Sequence, residues 1–84
     1  MKMLATITYD QARRAESMTH LAAEQARVKE LTEAGTLLAL YIQADLTHVW
    51  LVLQGPDEAT LHQIITDLPL HPFVAQVDLV ALAE

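Results

Sequence analysis

The chain has 84 residues, a length that is typical of one small domain. Hydrophobic residues make up 52% of it, and its formal net charge is −6 at neutral pH. With only five Lys and Arg residues in all, this balance argues against nucleic-acid binding, because phosphate contacts need clustered positive charge. The sequence contains no cysteine, which excludes disulfide bonds, thiolate metal ligands and a cysteine nucleophile.

The apolar runs of the sequence are all short. The run near the N-terminus is too short for the core of a signal peptide, and no stretch approaches the roughly 18 apolar residues of a membrane span. We therefore expect a cytoplasmic protein without a membrane partner. A domain of this size buries only roughly 60–65% of the surface of its unfolded chain. The surplus of apolar residues suggests that a partner subunit covers part of it.

The first predicted element is a strand from Met3 to Tyr9. Alternation divides its residues between two faces, and one of them holds Met3, Ala5, Ile7 and Tyr9. A helix should follow between Gln11 and Ala34, with Asp10 and Ser17 as alternative N-caps. Its end is clearer, because Gly35 stands where a left-handed residue commonly closes a helix.

One arc of this helix is predicted to be buried, and it holds Met18, Leu21, Val28 and Leu31. Glu24 falls inside the same arc, between Val28 and Leu31 on the helical projection. An acidic residue on an apolar helix face is unusual, so Glu24 is the first candidate for a functional role.

Two strands, from Thr36 to Gln43 and from His48 to Gln54, are joined by a short loop, which predicts a β-hairpin. Symmetric closure places Tyr41 opposite Trp50, with Gln43 opposite His48 and Ala39 opposite Val52. The alternate face is aliphatic and should lie under the helices; it comprises Leu38, Leu40, Ile42, Val49, Leu51 and Leu53.

The face that carries Tyr41 and Trp50 is also too apolar to be left in water. A sheet that is apolar on both faces needs cover on both. Because two helices on one side use up this chain, we expect a second copy of the chain to cover the other side.

The second half begins at Gly55-Pro56-Asp57, which ends the third strand and caps a second helix. The apolar stripe of this helix is Leu61, Ile64, Ile65 and Leu68. Pro69 and Pro72 disfavour helix at the residues before them, so the helix should end near Leu68. Leu70 and Phe73 are then free to fill apolar space.

A fourth strand is predicted from Val74 to Leu82, which completes the order β-α-β-β-α-β. This order is that of the ferredoxin-like α+β fold, a four-stranded antiparallel sheet with two helices on one face. No linker or low-complexity tract divides the sequence, so residues 1–84 are predicted to be a single domain.

The stretch from about Leu21 to Val80 resembles the muconolactone Δ-isomerase family without an obvious gap. The most specific parts are Glu24, the segment from Leu31 to Gly35-Thr36, Leu61-His62, and the corner Leu68-Pro69-Leu70 with Pro72-Phe73. The resemblance implies a dimeric α+β barrel, in which two ferredoxin-like sheets face each other, and a higher assembly of such dimers. It also implies an enzyme that moves the double bond of a small, carboxylate-bearing unsaturated lactone and needs no cofactor.

Glu24 is the candidate catalytic residue, at a position that resembles the acidic residue on the first helix of these isomerases. Removal of a proton next to a carbonyl needs a base with a raised pKa, and burial on an apolar face raises it. The alternative is a structural Glu whose stem packs while its carboxylate reaches a backbone donor. The isomerases carry basic residues on the second strand, where Leu38 and Ile42 stand here, so a neutral, apolar substrate fits this sequence better.

Four further residues are candidate substrate-binding residues: Tyr41, Trp50, His71 and Phe73. Tyr41 and Trp50 either support a quinone-like ring or form a cross-strand pair between two subunits. His71, between two prolines, either reaches a pocket mouth as a hydrogen-bond donor or is an exposed loop residue. No two histidines have the spacing of metal ligands, so no metal is expected.

Three functional hypotheses follow. The first is a cofactor-free isomerase that acts on a small unsaturated lactone or a ring-containing apolar metabolite by proton transfer, with Glu24 as the base. The second is a non-catalytic module for small-molecule binding or assembly, in which Glu24 is structural. The third is a cofactor-free quinone monooxygenase, which would require Trp50 or Tyr41 to face a cavity.

Overall fold

The computed structural model describes residues 1–83. Its elements are β1 (Lys2–Tyr9), α1 (Arg14–Met18), α2 (Leu21–Glu33), β2 (Leu37–Ile42), β3 (His48–Gln54), α3 (Glu58–Thr66) and β4 (Val74–Leu82), with 3₁₀ turns at Gln11–Arg13 and His71–Phe73. The strands form one antiparallel sheet in the order β2-β3-β1-β4, which leaves β2 and β4 at the edges. The predicted ferredoxin-like α+β fold is confirmed.

The centre of the β2–β3 hairpin has the predicted register. Tyr41 lies opposite Trp50 and Ala39 opposite Val52. At the loop end, the Gln43 N–H donates a hydrogen bond of 2.9 Å to the carbonyl of His48. Symmetric closure of the short loop was therefore sufficient to align these two strands at this end.

The start of β2 departs from the prediction because of a β-bulge. The register shifts between Leu37 and Ala39, and Leu37 pairs with Leu53. Leu37 is buried as a result, whereas the side chain of Leu38 is 45% exposed. The prediction that Leu38 lies under the helices was wrong. The extra residue of the bulge reverses the sheet face to which the residues before Ala39 point.

The first helical segment is broken, whereas one helix was expected somewhere between Gln11 and Ala34, with Asp10 and Ser17 as alternative starts. Thr19 and His20 separate α1 from α2, and the hydroxyl of Thr19 donates to the carbonyl of Glu16 at 2.7 Å. Such local side-chain hydrogen bonds compete with the helical ladder. Met18 is 49% exposed in consequence, so its predicted place on the buried arc was wrong, while Leu31 is buried as expected.

The other element ends agree with the sequence predictions. Asp10 caps the first 3₁₀ turn by accepting from the N–H of Ala12, and Gly35 has a φ of 77° after α2. Asp57 caps α3 by accepting from the N–H of Thr60 at 2.8 Å. In the described part of the chain, no helix is both long enough and apolar enough to cross a membrane.

The helices pack on one face of the sheet, and the core lies between them and the sheet. Its buried residues come from the strands β1, β2 and β3, from α2 and α3, and from the corner after α3. Its members are Met3, Ala5, Ile7, Leu31, Leu37, Val49, Leu51, Leu53, Leu61, Ile65 and Leu68. The opposite face, called here the outer face, carries Leu4, Thr6, Ala39, Tyr41, Trp50, Val52, Asp78 and Val80. The side chain of Tyr41 on this face is 62% exposed.

Candidate functional site

A cavity of about 380 Å³ lies between the core face of the sheet and the helices. Pockets that hold small molecules have volumes of roughly 300–1,000 Å³, so this one suits a compact ligand. Most of its walls are aliphatic, and they come from β1, β2, β3, α2, α3 and the corner after α3. The aliphatic lining residues include Ile7, Leu21, Val28, Leu31, Leu37, Val49, Leu51, Leu53, Ile64, Ile65, Leu68 and Leu70.

The cavity opens beside the edge strand β2 and the start of the first helical segment. The exposed lining residues mark this mouth, and they are Gln11, Arg14, Met18, Gln25, Leu40, Ile42 and Leu46. A ligand therefore has a route to the interior that crosses an apolar rim with a few polar side chains. The break between α1 and α2 lies beside this opening.

Glu24 places a carboxyl group in the helix wall of the cavity, and its side chain is only 9% exposed. One of its oxygens, Oε1, accepts a hydrogen bond from the backbone N–H of Leu70 at 3.3 Å. Burial raises the pKa of Glu24 above its ordinary value, and the Leu70 hydrogen bond opposes this in part. Both predicted features of Glu24, burial and a backbone donor, are therefore present together.

The proline corner holds the donor of this hydrogen bond in place. The carbonyl of Phe73 accepts from the N–H of Asp10 at 2.9 Å, and the carbonyl of Pro72 accepts from Nη1 of Arg13 at 3.0 Å. The Arg13 guanidinium also lies 4.6 Å from the centre of the Phe73 ring, which His20 contacts from another side. These contacts fasten the corner to the first helical segment and so fix Leu70 beside Glu24.

Tyr9 is a second polar group in the cavity, and the sequence reasoning did not select it. It ends β1 on the core face, and burial raises the pKa of its hydroxyl to about 12, with the negative charge of Glu24 as a second cause. Both residues line the same cavity. The alternation that places Tyr9 with Met3, Ala5 and Ile7 was the feature that could have identified it.

Arg14 is the one positively charged residue among the described residues that line the cavity. It forms no ion pair and no side-chain hydrogen bond within residues 1–83, whereas Arg13 pairs with Glu16 and Arg27 with Glu30. In the sequence, Arg14 was only half of a short basic run. The structure separates the pair, since Arg13 packs on the corner and Arg14 stands at the mouth.

None of the four predicted substrate-binding residues lines this cavity. Tyr41 and Trp50 lie on the outer face, with the sheet between them and Glu24. Phe73 is buried under Arg13 and His20, and His71 is half-buried in the 3₁₀ turn of the corner. The corner contributes Leu70 to the cavity instead. Within residues 1–83, no group of three or more His, Asp or Glu side chains is arranged to hold a metal ion.

Comparison with known proteins identifies a matching family model and a solved structure with a similar fold. The family model described as muconolactone delta-isomerase matches residues 2–84. A solved structure that is similar to this chain is 5-chloro-2-hydroxyhydroquinone dehydrochlorinase (TftG) from Burkholderia phenoliruptrix AC1100 in complex with 2,5-dihydroxybenzoquinone, with a TM-score of 0.86 over 99% of this chain and 94% of that chain. At 13% sequence identity, this similarity shows a shared fold alone. The comparison with curated proteins gives no match.

Proposed function

Because the chain belongs to the muconolactone delta-isomerase family, we propose that it is a cofactor-free isomerase of small, ring-containing molecules. The observation that carries the proposal is the buried carboxyl group of Glu24 in the wall of a largely aliphatic cavity. A carboxylate with a raised pKa in such a site is a suitable base for the removal of a proton from carbon next to a carbonyl group.

The proposed reaction is a double-bond shift by two proton transfers. The Glu24 carboxylate takes a proton from the carbon next to the substrate carbonyl, and the electrons of that C–H bond move toward the carbonyl oxygen to form an enolate. The protonated Glu24 then returns the proton to the carbon at the far end of the conjugated system. The double bond has moved, Glu24 has regained its charge, and nothing has been oxidised or reduced.

The walls of the cavity define the substrate class. Aliphatic residues of the sheet and of α2 line the cavity, which favours a substrate with an apolar ring, such as an unsaturated lactone or a cyclic enone. A charged substituent inside these walls would be unpaired, which is costly. Arg14 at the mouth is the place where an acidic substituent can find a partner, a site that the sequence reasoning about β2 did not consider.

A second candidate function, a non-catalytic binding module, is favoured by one specific contact. The hydrogen bond between Glu24 and the Leu70 N–H is what a purely structural carboxyl group would make. In that case the cavity would bind a ligand without changing it. The quinone monooxygenase hypothesis has no such contact in its favour, since Tyr41 and Trp50 lie on the other side of the sheet.

The test uses two substitutions of Glu24 and a panel of unsaturated lactones and cyclic enones. Glu24→Gln keeps an oxygen acceptor for the Leu70 N–H, so we expect a folded protein that binds the same panel members. Its turnover, followed by absorbance and by NMR detection of the moved double bond, should fall by about 10²–10⁴-fold, the usual contribution of a general base.

The outcomes separate the two candidate functions. Unchanged turnover in Glu24→Gln would contradict the role of Glu24 as the base. If no panel compound is converted by the native chain, and Glu24→Leu raises the melting temperature while ligand binding persists, the chain is a binding module with a structural carboxyl group. An increase in deuterium incorporation from heavy water into a bound ligand, absent in Glu24→Gln, would support proton transfer directly.

The outer face belongs to the same proposal, since it is where a second copy of the chain would pack. Tyr41 and Val80 are exposed there beside Trp50 and Val52, and a sheet with apolar residues on both faces needs cover on both. Light scattering at micromolar concentration should show at least a dimer, and Tyr41→Lys should weaken it. Ala59→Lys, on the exposed surface of α3, is the matched control. A stable native monomer would contradict this assembly.

A further inference from the structure

Tyr9 and Glu24 face the same cavity from different layers of the molecule. Tyr9 is the last residue of β1 and belongs to the sheet wall, whereas Glu24 lies in the first turn of α2 and belongs to the helix wall. A ring bound between sheet and helices would therefore lie between Tyr9 on the sheet side and Glu24 on the helix side.

The backbone of Tyr9 is anchored while its hydroxyl is free. Its N–H donates to the carbonyl of Thr47 at 3.1 Å, and its carbonyl accepts from Nε2 of Gln11 at 3.2 Å. No group in residues 1–83 forms a hydrogen bond with the hydroxyl, yet no fully buried side-chain oxygen or nitrogen in the described chain lacks a partner. The hydroxyl therefore keeps some accessible surface, and it belongs to a residue that lines the cavity.

We propose that the Tyr9 hydroxyl donates a hydrogen bond to the carbonyl oxygen of the bound substrate and stabilises the enolate that forms when Glu24 removes a proton. This role rests on the proposed isomerase function. It makes Tyr9 a catalytic residue, and it narrows the substrate class to ring compounds whose carbonyl oxygen points to the end of β1.

The movement of charge during the reaction explains why a donor is useful at this position. Before proton transfer the negative charge is on Glu24 in the helix wall, and after transfer it is on the substrate oxygen. A donor fixed in a site with little water stabilises that developing charge more than a donor in bulk solvent. Because the pKa of Tyr9 is raised to about 12, the hydroxyl keeps its proton across the whole neutral and mildly alkaline range.

The test is Tyr9→Phe, which removes the hydroxyl and leaves the ring in place. We expect kcat for the double-bond shift to fall by about 10²-fold, the usual cost of one lost donor to an oxyanion, with little change in KM. The acidic limb of the pH–rate profile, which Glu24 sets, should stay where it is. Thr8→Val removes a hydroxyl from the neighbouring residue, which faces the other side of the sheet, and should keep native kinetics.

Binding gives a second readout that does not depend on turnover. A cyclic 1,3-diketone, which carries an enolate oxygen at neutral pH, should bind Tyr9→Phe at least about 10-fold more weakly than it binds the native chain, since the variant loses a charge-assisted hydrogen bond. The corresponding ring without oxygen should bind both equally. Equal binding of the diketone, or a kcat within a factor of about two of native, would overturn the role of Tyr9.

The two proposals can fail separately. If Glu24→Gln is inactive and Tyr9→Phe is fully active, the isomerase function stands and Tyr9 is only a wall residue. If Tyr9→Phe weakens binding of the diketone while no lactone or enone is converted, Tyr9 is an oxygen-binding residue and the isomerase function is wrong.

Discussion

The helices α2 and α3 cover the same face of the sheet in different ways. α3 packs closely on its half, since Leu61 is 0% exposed and does not line the cavity, although Ile64 and Ile65 contribute to the cavity wall. α2 buries Leu31 and Glu24 but leaves Leu21 and Val28 half-buried beside the cavity. The packed half supplies the stability of the fold, and the open half has space for a ligand at the cost of packing contacts.

The close fit of α3 is visible at the turn that precedes it. A Cβ atom added to Gly55 would lie 2.8 Å from Cδ2 of Leu61, so the turn and the helix touch. On the α2 side, the break at Thr19 and His20 and the carboxyl group of Glu24 interrupt what would otherwise be a continuous apolar stripe. The cavity lies on this less regular side, and its lining includes the residues that flank the break, Met18 and Leu21.

The same substitution in both halves tests whether the α3 half is packed more tightly than the α2 half. Leu61→Ala should lower the free energy of unfolding by about 2–5 kcal/mol, because it leaves a void in close-packed surroundings. Leu21→Ala, which only enlarges an existing cavity, should lower it by less than about 1.5 kcal/mol. Urea unfolding measures both. Equal losses at the two positions would mean that the open half is packed as tightly as the closed one.

The pH dependence of stability tests the buried carboxyl group. The folded-state pKa of Glu24 is raised above 4.5, so between that value and the raised one the folded chain holds a proton that the unfolded chain has lost. The Glu24 contribution to the free energy of unfolding therefore decreases as pH rises through this window and is most unfavourable above it.

Glu24→Gln removes this titration and leaves the other carboxyl groups in place. Its stability relative to the native chain should increase from about pH 4 to about pH 8, as measured by urea unfolding at each pH. Glu58→Gln, the same substitution at an exposed carboxyl group of α3, controls for general effects of charge. A difference between Glu24→Gln and native that stays constant with pH would show that the carboxyl group is solvated.

The smallest expected effect is on ligand affinity, from a substitution of Arg14 at the mouth of the cavity. Arg14→Gln should weaken binding of a carboxylate-bearing cyclic enone by only a few-fold, because an exposed ion pair contributes roughly 0.2–1 kcal/mol. Binding of the matching uncharged enone should not change. Arg27→Gln, which removes a charge that is paired with Glu30 outside the cavity, is the control for net charge. Equal weakening of both ligands by Arg14→Gln would remove Arg14 from the site.

Much of the fold was predictable because local patterns decided it. Asp57 begins α3, and Gly35 and the proline corner follow the ends of α2 and α3, for reasons that depend on a few neighbouring residues. The Tyr41–Trp50 register follows from a symmetric hairpin. The spacing of apolar residues along the helix was also sufficient to predict the burial of Glu24. These features need no knowledge of distant parts of the chain.

The cavity was not predictable in the same way, because its walls come from segments that are far apart in the sequence. The sequence predicted which sheet face lies under the helices, but it did not predict a cavity between that face and the helices, on the side away from Tyr41 and Trp50. Tyr9 and Arg14 were overlooked since one ends an ordinary strand and the other belongs to an ordinary basic pair. Only the three-dimensional arrangement places them beside Glu24.

The bulge at the start of β2 has a consequence for changes in chain length. Leu37 and Leu38 are identical neighbours, and only Leu37 enters the core. Deletion of either one yields the same shorter chain, in which regular alternation before Ala39 points the remaining leucine inward. This edge of the domain can therefore lose a residue during evolution without emptying its hydrophobic interior.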